Sequence, residues 1–280
     1  MGIEFGFFDR RSIWAEVGAG NRTSVRQFHL LEQVDSTNLE LLRLPRQEQH
    51  GCVVLADRQS SGRGRRGKTW HSPGGGNIYL SLGWRFDHAV SALAPLPLAA
   101  AVSLVRALRR AGLLSPGVKW PNDILVNGMK LGGVLVETRP LASGHTQAVV
   151  GVGVNVLMPR EEPVAIEQAW TDVCTQLGGR IGPSFRDRLC GMILDELLGG
   201  MDRYAAEGFD PFLPDWRRMD LLQGRPICIS GPGGTEYGRC EGISERGGLL
   251  LSTAQESGEP AVSEYFAGEV SVRATTPARG

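Results

Sequence analysis

The apolar positions begin with an extended pattern over residues 28–34, which runs into Asp35-Ser36-Thr37. There Thr37 and Glu40 have capping-box spacing and predict a helix through Leu44. Ser36, Thr37 and Asn38 therefore stand at a strand-to-helix corner. Short apolar runs at 53–56 and 78–84 predict two more strands, separated by a polar, glycine-rich loop that reaches Gly76. A helix is predicted over 96–110, ending at Gly112. Four further strands follow at 118–120, 124–126, 131–137 and 148–155, with short turns that favour antiparallel pairing. Helical periods return at 163–177, 184–206 and 210–219.

Around Leu222 the pattern changes to short strands at 227–230, 235–240, 249–252 and 261–266 between glycine-rich turns, which predicts a small β-barrel. The expected division is an irregular N-terminal arm over 1–27, a main domain over 28–220 and the barrel over 221–280.

Thirty basic residues balance thirty acidic ones, so no global field draws the chain to nucleic acid or anionic lipid, and any cationic site must be local. Five scattered cysteines, none spaced as CxxC, read as reduced thiols of a cytoplasmic protein. The N-terminal residues lack the basic-then-apolar order of an export signal. No window approaches a continuous apolar membrane span, so no membrane association is expected.

Chemistry concentrates in a few segments. In Ser60-Ser61-Gly62-Arg63-Gly64-Arg65-Arg66-Gly67-Lys68, four cations fall within six residues and are spaced by glycines. Glycines let backbone N–H groups approach an anion, and arginines donate charge-assisted hydrogen bonds to phosphate oxygens. The same residues satisfy GxGxxG, but Trp70, Pro73 and three further glycines follow where a dinucleotide fold needs a helix. A solvated basic loop and a phosphate site remain equally open on the residues alone. Lys119-Trp120-Pro121-Asn122-Asp123 reads as a turn between strands, which accounts for Pro121 and Asn122 but not for Lys119. Lys130-Leu131-Gly132-Gly133 opens an apolar strand with a lysine that either reaches solvent or sits over a carboxylate or phosphate. Gly151-Val152-Gly153-Val154-Asn155 is a second glycine-bearing apolar strand ending in a polar side chain.

Taken in order, these segments, together with Asp35-Ser36-Thr37-Asn38 and the stretch from Trp70 to Pro73, resemble the catalytic domain of biotin protein ligases. The resemblance covers residues 28–220, and Gly268-Glu269-Val270-Ser271-Val272-Arg273 resembles the last strand of that family's C-terminal barrel. It implies an α+β fold of the class II aminoacyl-tRNA synthetase and biotin ligase kind: a mixed, largely antiparallel sheet backed by helices, with a small SH3-like barrel. The implied activity joins biotin to ATP as biotinyl-5'-AMP, then passes biotin to a lysine of a biotin carboxyl carrier protein, with Mg²⁺ neutralising the phosphates.

By similarity, Ser36, Thr37, Asn38 and Gln59 would bind the ureido ring of biotin. Gly62, Gly64, Trp70, Gly132 and Gly133 would line its pocket. Arg63 and Arg65 would cover the phosphates, and Lys130 would bridge the biotin carboxylate and the α-phosphate. Lys119, Asn122, Asn155 and Trp170 would contact the nucleotide, with Trp170 either stacking on adenine or simply buried. Asp123 would hold Mg²⁺ or accept a proton from the incoming lysine.

Lys68 stands where many relatives have arginine and is given no contact. A homodimer is implied by the family alone. Only the first 27 residues precede the domain, too few for a winged helix, so no sequence-specific DNA binding is expected. The rivals are a lipoate or octanoate ligase, which shares the fold, and a nucleic-acid-binding module built on the arginine loop.

Overall fold

The computed structural model describes residues 5–141, 144–159, 166, 168–231, 233–254, 260–267 and 271–274. α1 (Arg10–Ala15) and α2 (Ala19–Arg22) lead into β1 (Gln27–Val34), and α3 (Thr37–Arg43) and α4 (Arg46–Gln49) carry the chain to β2 (Cys52–Gln59). Beyond the polar loop lie β3 (Ile78–Phe86), α5 (Leu96–Arg110), β4 (Gly117–Lys119), β5 (Asp123–Val126), β6 (Met129–Pro140) and β7 (Thr146–Val154). After α6 (Val173–Gln176), α7 (Phe185–Glu207) and α8 (Leu213–Met219) come β8 (Pro226–Gly231), β9 (Gly234–Ile243), β10 (Leu249–Thr253), β11 (Ala261–Tyr265) and β12 (Ser271–Ala274).

The first seven strands form one sheet in the order β1-β2-β3-β7-β6-β5-β4. β1 and β2 are parallel because the chain between them crosses over through α3 and α4, and the remaining neighbours are antiparallel. The expected mixed, largely antiparallel sheet backed by helices is therefore present.

Strand periodicity assigns each face its cover. Val53 and Leu55 of β2 join the large core with α5 and α7, while Cys52 and Val54 join the smaller core under Leu41 and Leu42 of α3. α5 lies in the larger core: residues 90–110 are long and apolar enough to cross a membrane by length and composition, yet 67% of that window is buried here. None of the five cysteines forms a disulfide, and burial pushes the Cys52 thiol up to about 11.

Three local expectations differ. The N-terminal arm, read as irregular, contains two short helices. Asp9 caps α1 by accepting from the N–H groups of Arg11 and Ser12, and Ile13 and Val17 are buried. Gly191 of α7 makes room for the Ile13 carbonyl, so the arm is held by packing that a six-residue helix does not announce in its own sequence. Second, α3 is capped from Ser36 rather than Thr37, and no side chain closes a capping box. Third, of the helix expected over 163–177, the described residues show α6. Residues 160–165 and 167 lie outside the described residues, and Ala169 to Thr171 are extended because their backbone pairs with Lys130.

The last five strands form a second sheet in the order β11-β10-β9-β8-β12. Among the described residues β11 and β12 are its edges and do not pair with each other, so closure into the expected barrel is not seen. Of the segment 268–273, residues 268–270 lie outside the described residues.

Trp120 ties this sheet to the larger one: 2% exposed, it donates from Nε1 to the Gly247 carbonyl at 3.1 Å. Trp120→Phe keeps the ring in place but strands that carbonyl, so unfolding in urea should show a loss of about 1–3 kcal/mol. A midpoint equal to that of the parent would dismiss this tie as a source of stability.

Candidate active site

The parallel pairing of β1 with β2 builds the first half of the site. It sets Val34 beside Gln59, so the corner that follows β1 meets the end of β2 although the two are far apart in sequence. The Thr37 N–H and Oγ1 donate to Gln59 Oε1 at 2.9 and 3.2 Å, and Gln59 Nε2 donates to Ser72 Oγ at 2.9 Å. Ser81 Oγ donates to Asn38 Oδ1 at 2.6 Å and lies 2.8 Å from Thr37 Oγ1. Asn38 Nδ2 donates to Glu137 Oε2 at 2.8 Å. Ser36, Thr37 and Asn38 are all buried. Such a network has donors and acceptors in fixed directions, suited to a small neutral polar group.

A glycine wall adjoins it. In register, Ser81 faces Gly151, and Tyr79, Gly153 and Gly133 form the next row of the same sheet face. A Cβ on Gly151 would strike the Asn38 amide, and one on Gly153 would stand 2.8 Å from the Trp70 ring, which lies on it. Gly132 pairs with Val154 and so belongs to the opposite face, where its missing Cβ clears the Gly153 carbonyl. Of Gly132 and Gly133, both expected to line the pocket, the register puts only Gly133 on this face.

The second half depends on a bulge. β5 and β6 are joined by Asn127-Gly128, both at positive φ, the two-residue turn that suits a twisted hairpin. Along this hairpin Ile124 pairs with Gly132 but Leu125 pairs with Lys130, leaving Leu131 as the extra residue. The extra residue buries Leu131 in the core and turns Lys130 to the same face as Gly133 and Asp123. Lys130 Nζ lies 2.7 Å from Asp123 Oδ1 and 5.3 Å from the centroid of the Trp70 ring.

Lys119 pairs with Asp123 in register, and burial pulls its ammonium below the usual lysine range despite attraction from Asp123. Arg65, also lowered by burial, donates to Asn122 Oδ1 at 3.3 Å and to the Ala267 carbonyl. Three cations thus surround one carboxylate, a surplus that an anion would relieve.

The arginine loop is folded on itself. Gly64 N–H donates to the Lys68 carbonyl at 2.7 Å and Trp70 N–H to the Gly62 carbonyl at 2.9 Å, around a single tight turn at Arg65–Gly67. No helix follows, which removes the dinucleotide reading. A cleft of about 340 Å³ runs along Ser60 to Gly64 and Gly67 to Thr69. Arg63 crosses to Glu137 at 2.9 Å, so Glu137 serves both halves of the site.

Two expected nucleotide contacts have structural partners. Asn155 Nδ2 donates to the Thr171 carbonyl at 3.1 Å, and Asn122 Nδ2 donates to the Val134 carbonyl at 2.6 Å. Trp170 is placed beside Lys130 by backbone pairing and is half-buried. Glu137, Ser72 and Ser81 were missed by sequence reasoning. The period-two glycines at 151 and 153 were the visible signal for their side of the wall.

Fold and site together set a buried polar corner beside a cluster of cations, Lys130, Lys119 and Arg65, around Asp123. Residues 30–155 match the biotin/lipoate A/B protein ligase family. The bifunctional ligase/repressor BirA of Escherichia coli is 33% identical over 244 residues, 87% of this chain and 73% of that protein. The biotin--[acetyl-CoA-carboxylase] ligase of Paracoccus denitrificans is 33% identical over 249 residues, covering 85% of this chain and 100% of that one. Among solved structures, the biotin protein ligase from Aquifex aeolicus in complex with biotin and ATP has a TM-score of 0.73 at 29% identity, covering 89% of this chain and all of that one. The chain belongs to the biotin/lipoate A/B protein ligase family, and it is a ligase.

Proposed function

We propose that this chain is an ATP-dependent biotin protein ligase of the cytoplasm. It makes biotinyl-5'-AMP and pyrophosphate from biotin and MgATP, then transfers biotin to one lysine of a biotin carboxyl carrier protein. The observation that carries this reading is the position of Lys130, turned by the Leu131 bulge to the face of Gly133 and Asp123 with its Nζ 5.3 Å from the centroid of the Trp70 ring.

The ureido ring would take the directional groups of Thr37, Asn38 and Gln59, and the acyl chain would run along Gly133 beside the Trp70 ring. A carboxylate oxygen attacks the α-phosphorus and the bond to the β-phosphate oxygen breaks. Lys130, released from Asp123, stabilises the negative charge that builds between the two groups. Arg63, Arg65 and Lys119 hold the phosphates. The carrier amine then attacks the acyl carbon, forming the C–N bond as the C–O bond to AMP breaks, and its proton passes to Asp123. Closure of residues 60–76 keeps water from the mixed anhydride.

Magnesium would enter with the triphosphate. The acidic donor at the cationic pocket is Asp123, which suits an ion held mainly by phosphate oxygens and water. Trp170 would stack on adenine, and two chains would form a homodimer, which sedimentation reads directly.

The test is transfer of labelled biotin to a purified carrier domain with MgATP, run beside lipoate. Label from biotin alone supports the reading. Transfer of lipoate instead replaces the substrate, and transfer of neither to a validated carrier rejects it.

A further inference from the structure

We propose that Asp57 is a positioning residue for the arginine-rich loop, and that the N-terminal segment from Phe5 to Phe8 holds it there through Arg186. This rests on the reading that the loop binds the phosphates of ATP.

Arg186, in the first turn of α7, is 1% exposed although no part of the site touches it. Its Nη1 donates to Asp57 Oδ1 at 2.8 Å and its Nη2 to the Gly6 carbonyl at 2.7 Å. Its guanidinium carbon lies 3.9 Å from the centroid of the Phe8 ring and 5.5 Å from that of Phe5. A guanidinium is costly to bury, and among the described residues this one forms its ion pair with Asp57. The N-terminal segment thus closes over the cation that fixes Asp57.

The other oxygen of Asp57 faces the loop. Oδ2 accepts from the Gly75 N–H at 2.9 Å, and a Cβ on Gly74 would stand 3.0 Å from that same oxygen. The loop's entry is fixed separately: the N–H groups of Ser60 and Ser61 donate to the carbonyls of Val34 and Asp35, each at 2.9 Å. Its exit, where Gly75 sits at φ +81°, rests on Asp57 and on the Tyr79 hydroxyl, which donates to the Pro73 carbonyl at 2.9 Å. The span between these anchors carries Arg63, Arg65 and Trp70. Its freedom is therefore set in part from the far face of the sheet, where β2 meets α7.

The chemistry of the carboxylate makes the idea testable. Asp57 uses one oxygen for Arg186 and the other for Gly75. The Asp57→Asn variant would keep one acceptor, and with its amide oxygen on Arg186 would set its amide hydrogens against the Gly75 N–H. Arg186→Lys is the second variant, since it keeps the charge but loses the fork that reaches Asp57 and Gly6 together.

Both variants and the parent are compared well below their melting temperatures by the rate of tryptic cleavage between Arg63 and Lys68, and by the KM for ATP in pyrophosphate exchange. Cleavage faster by roughly tenfold, with KM for ATP raised to a similar degree, is the expected cost of one lost hydrogen bond to a charged group. The KM for biotin should change far less. If both variants melt lower while cleavage and the KM for ATP match the parent, Asp57 is merely structural and the proposal is overturned. The proteolysis needs no activity. A parent that makes no adenylate sinks the ligase reading and leaves cleavage to decide this one.

Discussion

Lys130→Ala should lower the rate of biotinyl-adenylate formation by at least about 10²–10³-fold, the scale of losing one preorganised group that stabilises charge only in the transition state. The ammonium has no substitute at its position. The Leu131 bulge brings it to the site face, and the neighbouring cations Lys119 and Arg65 are held by β4 and by Asn122 and Ala267.

The fold should survive the change. The Lys130–Asp123 pair is about one-fifth exposed on each side, and ion pairs in reach of water contribute only about 0–1 kcal/mol. Asp123 keeps Lys119 as a neighbour. Pyrophosphate exchange and thermal unfolding on the same preparations separate the two effects. Residual activity within a few-fold of the parent would falsify the assignment, and a collapsed melting temperature would reveal that the pair serves the fold.

The position of Lys130 also shows what the sequence made legible. Its segment was recognisable because lysine before Leu-Gly-Gly is an unusual start to an apolar strand. Its direction was not. An unbroken strand from Lys130 to Gly133 would put them on opposite faces, and the bulge that aligns them arises from pairing with β5. The strands themselves were legible from their apolar runs, since those runs reflect burial on both faces of the sheet.

The parallel pairing of β1 with β2, which joins Ser36–Asn38 to Gln59, was not, because it depends on the route of the crossover. Glu137 escaped for a related reason. A carboxylate at the end of the strand expected over 131–137 looks like solvent exposure until α3 and the arginine loop approach it from two directions. The N-terminal helices were hidden because their stability lies in α7 rather than in their own residues.

Gly151→Ala should raise the KM for biotin at least about tenfold while leaving the KM for ATP nearly unchanged, since leaving a buried polar group unpaired costs about 1–3 kcal/mol. A Cβ at this position enters the Asn38 amide, with Asn38 Cγ 2.9 Å away. That amide has nowhere nearby to go. Its oxygen accepts from Ser81, its nitrogen donates to Glu137, and α3 beneath it is fixed by Leu41 and Leu42 in the smaller core.

If Asn38 swings aside, Ser81 and Glu137 lose their partner; if β7 moves instead, the wall shifts against Trp70. Either response damages the polar corner first, while Arg65, held by Asn122 and Ala267, and Lys119, held in β4, keep their places on the phosphate side. The double variant Asn38→Ala/Gly151→Ala removes the clash. Its loss in biotin affinity should therefore be well short of the sum of the two single losses. Strict additivity would mean that Gly151 and Asn38 do not meet in the working enzyme, and the corner described above would have to be rebuilt around other partners.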